Sequence, residues 1–368
     1  LKLAEEGLEN EVEVNVIAPG SSISLGDYHI DFVDLTHSIP EMQALMITTP
    51  HGRILHSGDW KLDPDPVVGP ASNLAKMQRV SDAGVLAMIC DSTNVFKEGV
   101  SGSELDVQNS LDQLFRGIPS GRIAVTTFAS NIARLMTIAS VAERNDRHVV
   151  LVGRSLHRMT QAAKKSGYLN DLPPFLDEKD AGHIPRDKIL LLCTGSQGEP
   201  RGAMTRIARG EHSHVELSQG DTVIFSSKVI PGNEKTLYAL HNQLTESGVN
   251  VITEADEFVH VSGHPARDEL TDMYRIVKPE IAIPVHGEAR HIRAHCELAR
   301  SLGVKQAIEI TNGNILKLAP GVAGIIADVP SGRLAVDAGG LTPLDGEFLS
   351  TRRRLVYNGS VSGVVFVN

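Results

Sequence analysis

Between about residue 104 and residue 268 the sequence repeats one kind of unit, a short apolar run followed by a stretch with helical spacing. The runs at 123–127, 148–152, 189–194, 222–226 and 249–253 read as strands, and the stretches over 131–144, from Leu156 and from Glu234 read as helices. Strands joined through helices run parallel, and their sheet must be covered on both faces. This segment is therefore restricted to an α/β layer structure. The texture on either side is different. From residue 12 to 95, β-rich runs at 28–35, 44–49, 53–56 and 85–90 are separated by Gly, Pro and Asp turns, the pattern of a stacked sheet. After a helix at 267–277 the β-rich texture returns with a strand at 281–285, a helix near 291–302 and short strands to the end. No internal repeat and no low-complexity segment interrupts this order.

With 368 residues and 41% apolar content the chain can bury at least one large core, and its length allows two or three domains. Cys90, Cys193 and Cys296 are odd in number, far apart and outside any Cys-x-x-Cys pattern, which argues against a disulfide framework and against a thiolate zinc cluster. A reducing cytoplasm is the simplest compartment. No apolar run approaches the roughly 20 residues needed to span a bilayer, so no membrane association is expected. The formal charge of −10 gives no general attraction to nucleic acid, which leaves a local groove or metal-bound phosphate as the means of binding one. The chain opens on Leu1 and ends just after the strand-like run at 361–367, and it is read as a fragment.

Several apolar strands end on a histidine or an aspartate, as expected of a site built on the carboxyl rim of a sheet. The run from Asp31 ends on His37, that from Ile54 on Asp59, that from Leu86 on Asp91 and that from Ile281 on His286, while His260 and His264 share one short segment. Imidazole and carboxylate are the natural ligands of zinc, and a carboxylate can bridge two ions. Each residue alone has a plainer reading: a histidine at a strand end is more often a satisfied turn residue, and Asp59 and Asp91 suit turns or caps. The case rests on their recurrence.

In order and wording these motifs resemble the β-CASP branch of the metallo-β-lactamase superfamily. Thr-His37-Ser-Ile-Pro-Glu is similar to its third motif, Ser-Gly-Asp59 to its fourth, Asp91-Ser-Thr-Asn to motif A, Ser-Gly-His264 to motif B and Pro-Val-His286-Gly-Glu to motif C. The wording of His260-Val-Ser-Gly-His264-Pro, of the segment from Thr194 to Pro200 and of that from Ser226 to Asn233 resembles the ribonuclease J family, and the likeness runs over nearly the whole chain. It implies an α/β fold, a partial metallo-β-lactamase αββα sandwich interrupted by an inserted β-CASP α/β domain. The implied boundaries are 1–103 and 269–347 for the lactamase parts, 104–268 for the insert, and 348–368 for a linker or the start of a C-terminal region.

The resemblance also implies a zinc-dependent ribonuclease of RNA processing and decay, a 5′-to-3′ exonuclease, an endonuclease or both, preferring 5′-monophosphate ends. His37, Asp59 and His286 would be metal ligands for a pair of Zn2+ ions, with Mn2+ or Mg2+ as other candidates, and the ions would neutralise charge on the scissile phosphate. Asp91 would orient the site and His264 would bond the phosphate or protonate the leaving oxygen. Phe128, Ala129 and Ser130, together with His260, Val261, Ser262, Gly263 and His264, would grip the RNA and its 5′-phosphate. Arg154, Arg201 and Lys228 are weaker candidates for backbone contacts. A dimer or tetramer is implied for the full-length protein.

One element of the pattern is absent. The second motif, His-x-His-x-Asp-His, supplies four ligands in that family, and nothing in this sequence matches it. His212-Ser-His214 has only its opening and reads as surface loop, and His291 with His295 reads as an exposed helix face lacking the glutamate of His-Glu-x-x-His. His37, His286 and a bridging Asp59 fall short of the roughly four ligands that each of two zinc ions wants. The expectation is a chain weak or inactive by itself, with one flank of the lactamase sheet left open. The alternatives are a β-CASP nuclease acting on DNA or on RNA 3′-ends, a non-catalytic RNA-binding or assembly partner, and a nucleotide-binding α/β protein using the Gly-rich turn at 194–198.

Overall fold

The computed structural model describes residues 2–337, 340–344 and 346–359, so the strand-like run at 361–367 lies outside the described residues. Two compact units divide the chain at Ile308 and Glu309. The first opens with a one-turn helix α1 (Lys2–Glu5), followed by strands β1 (Ser22–Leu25), β2 (Tyr28–Asp34), β3 (Gln43–Thr49) and β4 (Gly52–His56), each antiparallel to the one before. Helix α2 (Leu74–Ser81) leads to β5 (Ala87–Asp91), which lies parallel to β4. The chain returns much later to complete this sheet. Helix α3 (Glu104–Arg116), capped by the Ser103 hydroxyl on the N–H of Leu105, marks the departure.

The intervening segment forms a six-stranded sheet that is parallel throughout. Its strands and helices are β6 (Ile123–Thr126), α4 (Ile132–Arg144), β7 (His148–Val152), α5 (Arg154–Lys165), β8 (Leu176–Asp177), β9 (Ile189–Cys193), α6 (Ala203–Ala208), β10 (Thr222–Phe225), α7 (Glu234–Glu246) and β11 (Asn250–Ile252). The strand order is β11-β10-β6-β9-β7-β8. Every residue of β9 is buried, as a central strand covered on both faces requires. Alternation divides its side chains: Leu190 and Leu192 join one core with α3 and α4, and Ile189, Leu191 and Cys193 join the other with α6 and α7.

Helix α8 (Arg267–Val277) brings the chain back, and β12 (Ile281–Val285), α9 (Ala289–Ser301) and β13 (Gln306–Ala307) extend the first sheet to seven strands in the order β1-β2-β3-β4-β5-β12-β13. One face of this mixed sheet buries Val33, Met46, Leu55 and Met88 against Met77, Met273 and Leu298 of the covering helices. The opposite face, with Ile30, Phe32, Leu45, Ile47 and Ile54, is half-buried. The second unit comprises two antiparallel hairpins, β14 (Asn314–Lys317) with β15 (Gly324–Asp328) and β16 (Leu334–Asp337) with β17 (Gly340–Pro343), followed by α10 (Glu347–Asn358). Among the described residues no helix is long and apolar enough to cross a membrane.

Candidate metal centre

Adjacent strands of a sheet lie about 4.8 Å apart, so parallel neighbours deliver the residues that follow them to one place. β4, β5 and β12 are consecutive parallel neighbours, and Asp59 follows the first, Asp91 closes the second and His286 follows the third. That register is why residues far apart in the chain meet. His286 adopts a left-handed backbone (φ 55°), uncommon for a non-glycine residue, directly after β12. Its Nδ1 lies 3.4 Å from Oδ1 of Asp59 and 3.4 Å from Oδ1 of Asp91.

His264 enters from the loop leaving the parallel sheet, and its Nδ1 lies 2.6 Å from Oδ2 of Asp91. Asp59, Asp91, His264 and His286 each offer one ligand atom, and these atoms lie within 4.8 Å of one another. Two carboxylates and two imidazoles at that spacing fit one divalent ion of the zinc or manganese type. His37 stands beside this group, its ring 5.1 Å from that of His264 and its Nδ1 2.5 Å from the carbonyl oxygen of Gly263, but it is not one of the four. Asp59 and His286, expected as ligands, are thus together, while the two residues expected to do catalytic work stand as close to the same point as the ligands do.

Burial acts to raise the pKa of Asp91, but hydrogen bonds from His264, His286 and Thr93 hold it far below the usual carboxylate range. Asp91 is therefore anionic at neutral pH. The hydrogen bond to Asp91 raises the pKa of His286 against the effect of burial, whereas burial lowers that of His37. Thr93 fixes the carboxylate twice, donating from its backbone N–H at 2.8 Å and from its hydroxyl at 2.7 Å.

The 260–264 segment is anchored beside this centre. Asn94 donates to the Ser262 hydroxyl at 2.7 Å and to the His264 carbonyl at 3.0 Å. A Cβ on Gly263 would stand 2.8 Å from the His37 ring, so glycine is what lets the two loops touch. Val261 is buried and packs in the core of the parallel-sheet domain, leaving only its backbone available to a ligand. Burial, followed by the charges of Arg134 and Lys228, drives the pKa of His260 down to about 2, so that its ring stays neutral. Phe128, Ala129 and Ser130 form the turn after β6, with Ser130 exposed and the other two half-buried. Ala129 packs against the core cluster that includes Val259 and Val261.

Arg134 is the residue that sequence reasoning missed most completely. It is fully buried, grips Glu104 with two bonds of 3.0 Å, and donates to the Ser226 hydroxyl at 2.6 Å and the Val259 carbonyl at 3.1 Å. An arginine on a helix reads as solvent-facing, and only the tertiary arrangement shows otherwise. Glu269 is a second such residue, accepting from the N–H groups of Leu62, Ser101 and Ala266. The exposed-face reading of His291 and His295 is corrected for His295, which is fully buried because the Ser92 hydroxyl and Tyr274 hydroxyl, each at 2.9 Å, satisfy both ring nitrogens. The His212 side chain is likewise covered, lying 3.6 Å from Glu178.

Residues 120–244 match the ribonuclease J β-CASP domain, and residues 248–310 match the Zn-dependent metallo-hydrolase RNA specificity domain. The chain carries a ribonuclease J β-CASP domain. It is 43% identical to the ribonuclease J of Sinorhizobium meliloti over 98% of this chain and 64% of that one. Identity is 40% to that of Mycolicibacterium smegmatis, over 96% of this chain and 63% of the relative, and 38% to that of Corynebacterium glutamicum, over 95% and 49%. The chain thus spans less than two thirds of the length of these ribonuclease J relatives. A solved structure of an Enterococcus faecalis V583 protein of unknown function superposes with a TM-score of 0.56 at 15% identity, over 85% of this chain and 68% of that one, a likeness of fold. The parallel sheet matches the β-CASP insert, and β12 and β13 of the mixed sheet lie in the segment matched to the metallo-hydrolase domain.

Proposed function

We propose that this chain is the core of a metal-dependent RNA phosphodiester hydrolase that prefers 5′-monophosphate ends, with the β-CASP insert spanning about residues 104–268. The observation that carries the reading is the four-residue group at the ends of β4, β5 and β12, with the 260–264 segment against it. Asp59, Asp91 and His286 would hold one ion, with His37 as a reserve ligand at its margin. Bound there, zinc or manganese supplies positive charge beside the scissile phosphate and makes water a competent nucleophile at neutral pH.

The chain's own residues do the rest. Asp91 accepts the Nδ1–H of His264, which fixes the tautomer and leaves Nε2 directed away from the carboxylate. In its protonated form that Nε2 donates to a phosphate oxygen or to the departing oxygen. Ser130, the Ser262 hydroxyl and the backbone of 260–264 suit a terminal phosphate, and the neutral ring of His260 accepts or donates without adding charge. Among the described residues His37 is the further candidate ligand beside this group, short of the four that a second zinc would want. Slow turnover is therefore expected of this chain.

The test compares one RNA sequence with a 5′-monophosphate, with a 5′-hydroxyl, and as DNA, measuring binding and metal-dependent cleavage. Tighter binding of the 5′-monophosphate RNA, with any cleavage lost in Asp59→Ala, supports the reading. Equal binding of all three, or cleavage that survives Asp59→Ala, overturns it.

A further inference from the structure

A second cleft lies on the carboxyl edge of the parallel sheet, away from the metal ligands. β7 and β9 are neighbours, yet the chain leaves β7 outward to β8 and leaves β9 in the opposite direction, past β6 to β10. Their following loops part, and in open α/β sheets such a divergence forms a crevice in which ligands bind. Here its volume is about 1070 Å3. The walls meet through glycines: a Cβ on Gly153 would stand 2.4 Å from Oγ1 of Thr194, and one on Gly202 2.6 Å from Cα of Gly195.

Four guanidinium groups line this crevice, those of Arg154, Arg158, Arg201 and Arg206. Arg154 and Arg201 have no hydrogen-bond or ion-pair partner among the described residues. Arg158 is already engaged by an anion, the carboxylate of Glu5 from α1, and Arg206 donates to the Glu211 carbonyl. Two acids also line the wall and are outnumbered by the guanidinium groups: Glu178 faces His212 at 3.6 Å, and Glu199 accepts the N–H of Gln197 at 3.0 Å. At the mouth, α5 starts at Gly153 without a side-chain cap, and of its leading N–H groups that of Leu156 bonds the Gly153 carbonyl while those of Arg154 and Ser155 have no side-chain cap.

We propose that this crevice binds a small anion carrying two or more linked phosphates, of the nucleoside di- or triphosphate class, through those phosphates. Planar guanidinium forks match phosphate oxygens bidentately. No Phe, Tyr or Trp lines the crevice, so it lacks the aromatic platforms on which single-stranded nucleic acid stacks. The site is independent of the metal centre and of whether that centre cleaves RNA.

Titration calorimetry of the full chain with ADP and with pyrophosphate, in a buffer containing EDTA, tests this. Saturable one-to-one binding is expected, weakened about tenfold or more in Arg154→Ala/Arg201→Ala and unchanged in Asp59→Ala. Both arginines are exposed, so the double variant keeps its fold, verified by an unchanged melting temperature. Absence of saturable binding, equal binding by the double variant, loss of binding in Asp59→Ala, or binding of single-stranded RNA but neither probe would each overturn the proposal.

Discussion

Nδ1 of His264 lies 2.6 Å from Oδ2 of Asp91, a contact that joins the loop leaving the inserted domain to the end of a strand in the mixed sheet. Because Asp91 is buried and anionic, the contact serves both domains at once: it orients the imidazole and compensates a charge that water does not reach. Asp91→Asn replaces an anionic ligand oxygen with a neutral one and should therefore weaken zinc binding and lower any RNA cleavage by about tenfold or more, at least as much as the loss of an outer-shell partner does. Competition of the variant against a zinc indicator, with circular dichroism to verify the fold, measures it. Unchanged zinc affinity would remove Asp91 from the centre.

The Arg134–Glu104 pair makes a separate prediction about stability. Both side chains are buried, and Arg134 also holds Ser226 and Val259. Arg134→Ala leaves a buried carboxylate uncompensated and should cost about 3–5 kcal/mol. Urea unfolding of the variant reads this directly; a loss within the range of ordinary surface substitutions would contradict the buried geometry.

Gly263→Ala tests the contact between loops. The backbone there is ordinary, so the added methyl group is resisted only by the His37 ring, 2.8 Å away. A loss of about 1–3 kcal/mol is expected from overpacking. In the His37→Ala background the same change should be milder, and a thermal-unfolding double-mutant cycle checks this; strictly additive effects would mean the two loops do not touch.

Acid sensitivity follows from His295. Burial lowers its pKa to about 4, against the opposing charge of Asp91, whereas the unfolded chain titrates near the usual value of 6.5. Above the unfolded value neither state is protonated and the contribution to stability is complete. As pH falls toward 4, the unfolded chain takes up a proton that the fold refuses, and stability drops by about 3 kcal/mol over that window. Comparing unfolding free energies at about pH 7.5 and about pH 5 should show the decline, and His295→Gln should flatten it.

Much of the framework was legible in the residues. The strands at 148–152 and 281–285 and the helix at 267–277 lie where their spacing placed them, because β-branched and leucine-rich runs suit strands buried on both faces and an amphipathic stretch suits a helix. Helix α2, eight residues beside turns, carries little periodic signal, whereas the 13-residue α3 was not read although Val107, Leu111 and Phe115 recur in it at helical spacing. The rim positions of Asp59, Asp91 and His286 were legible as strand-end residues, but their meeting depends on β4, β5 and β12 being parallel neighbours, a long-range pairing that no local pattern encodes. Arg134, Glu269 and His295 escaped for the same reason. A buried polar residue differs from an exposed one only in its partners, and those come from distant segments.

Asp59, Asp91 and His286, with His264 bonded to Asp91, offer a site for one divalent ion. Metal analysis of the purified chain, equilibrated with zinc and freed of excess, tests it most directly. About one zinc per chain is expected, lost in Asp59→Ala and in Asp91→Ala while the folded state persists. A chain that retains no zinc, or retains the same amount in both variants, would contradict it.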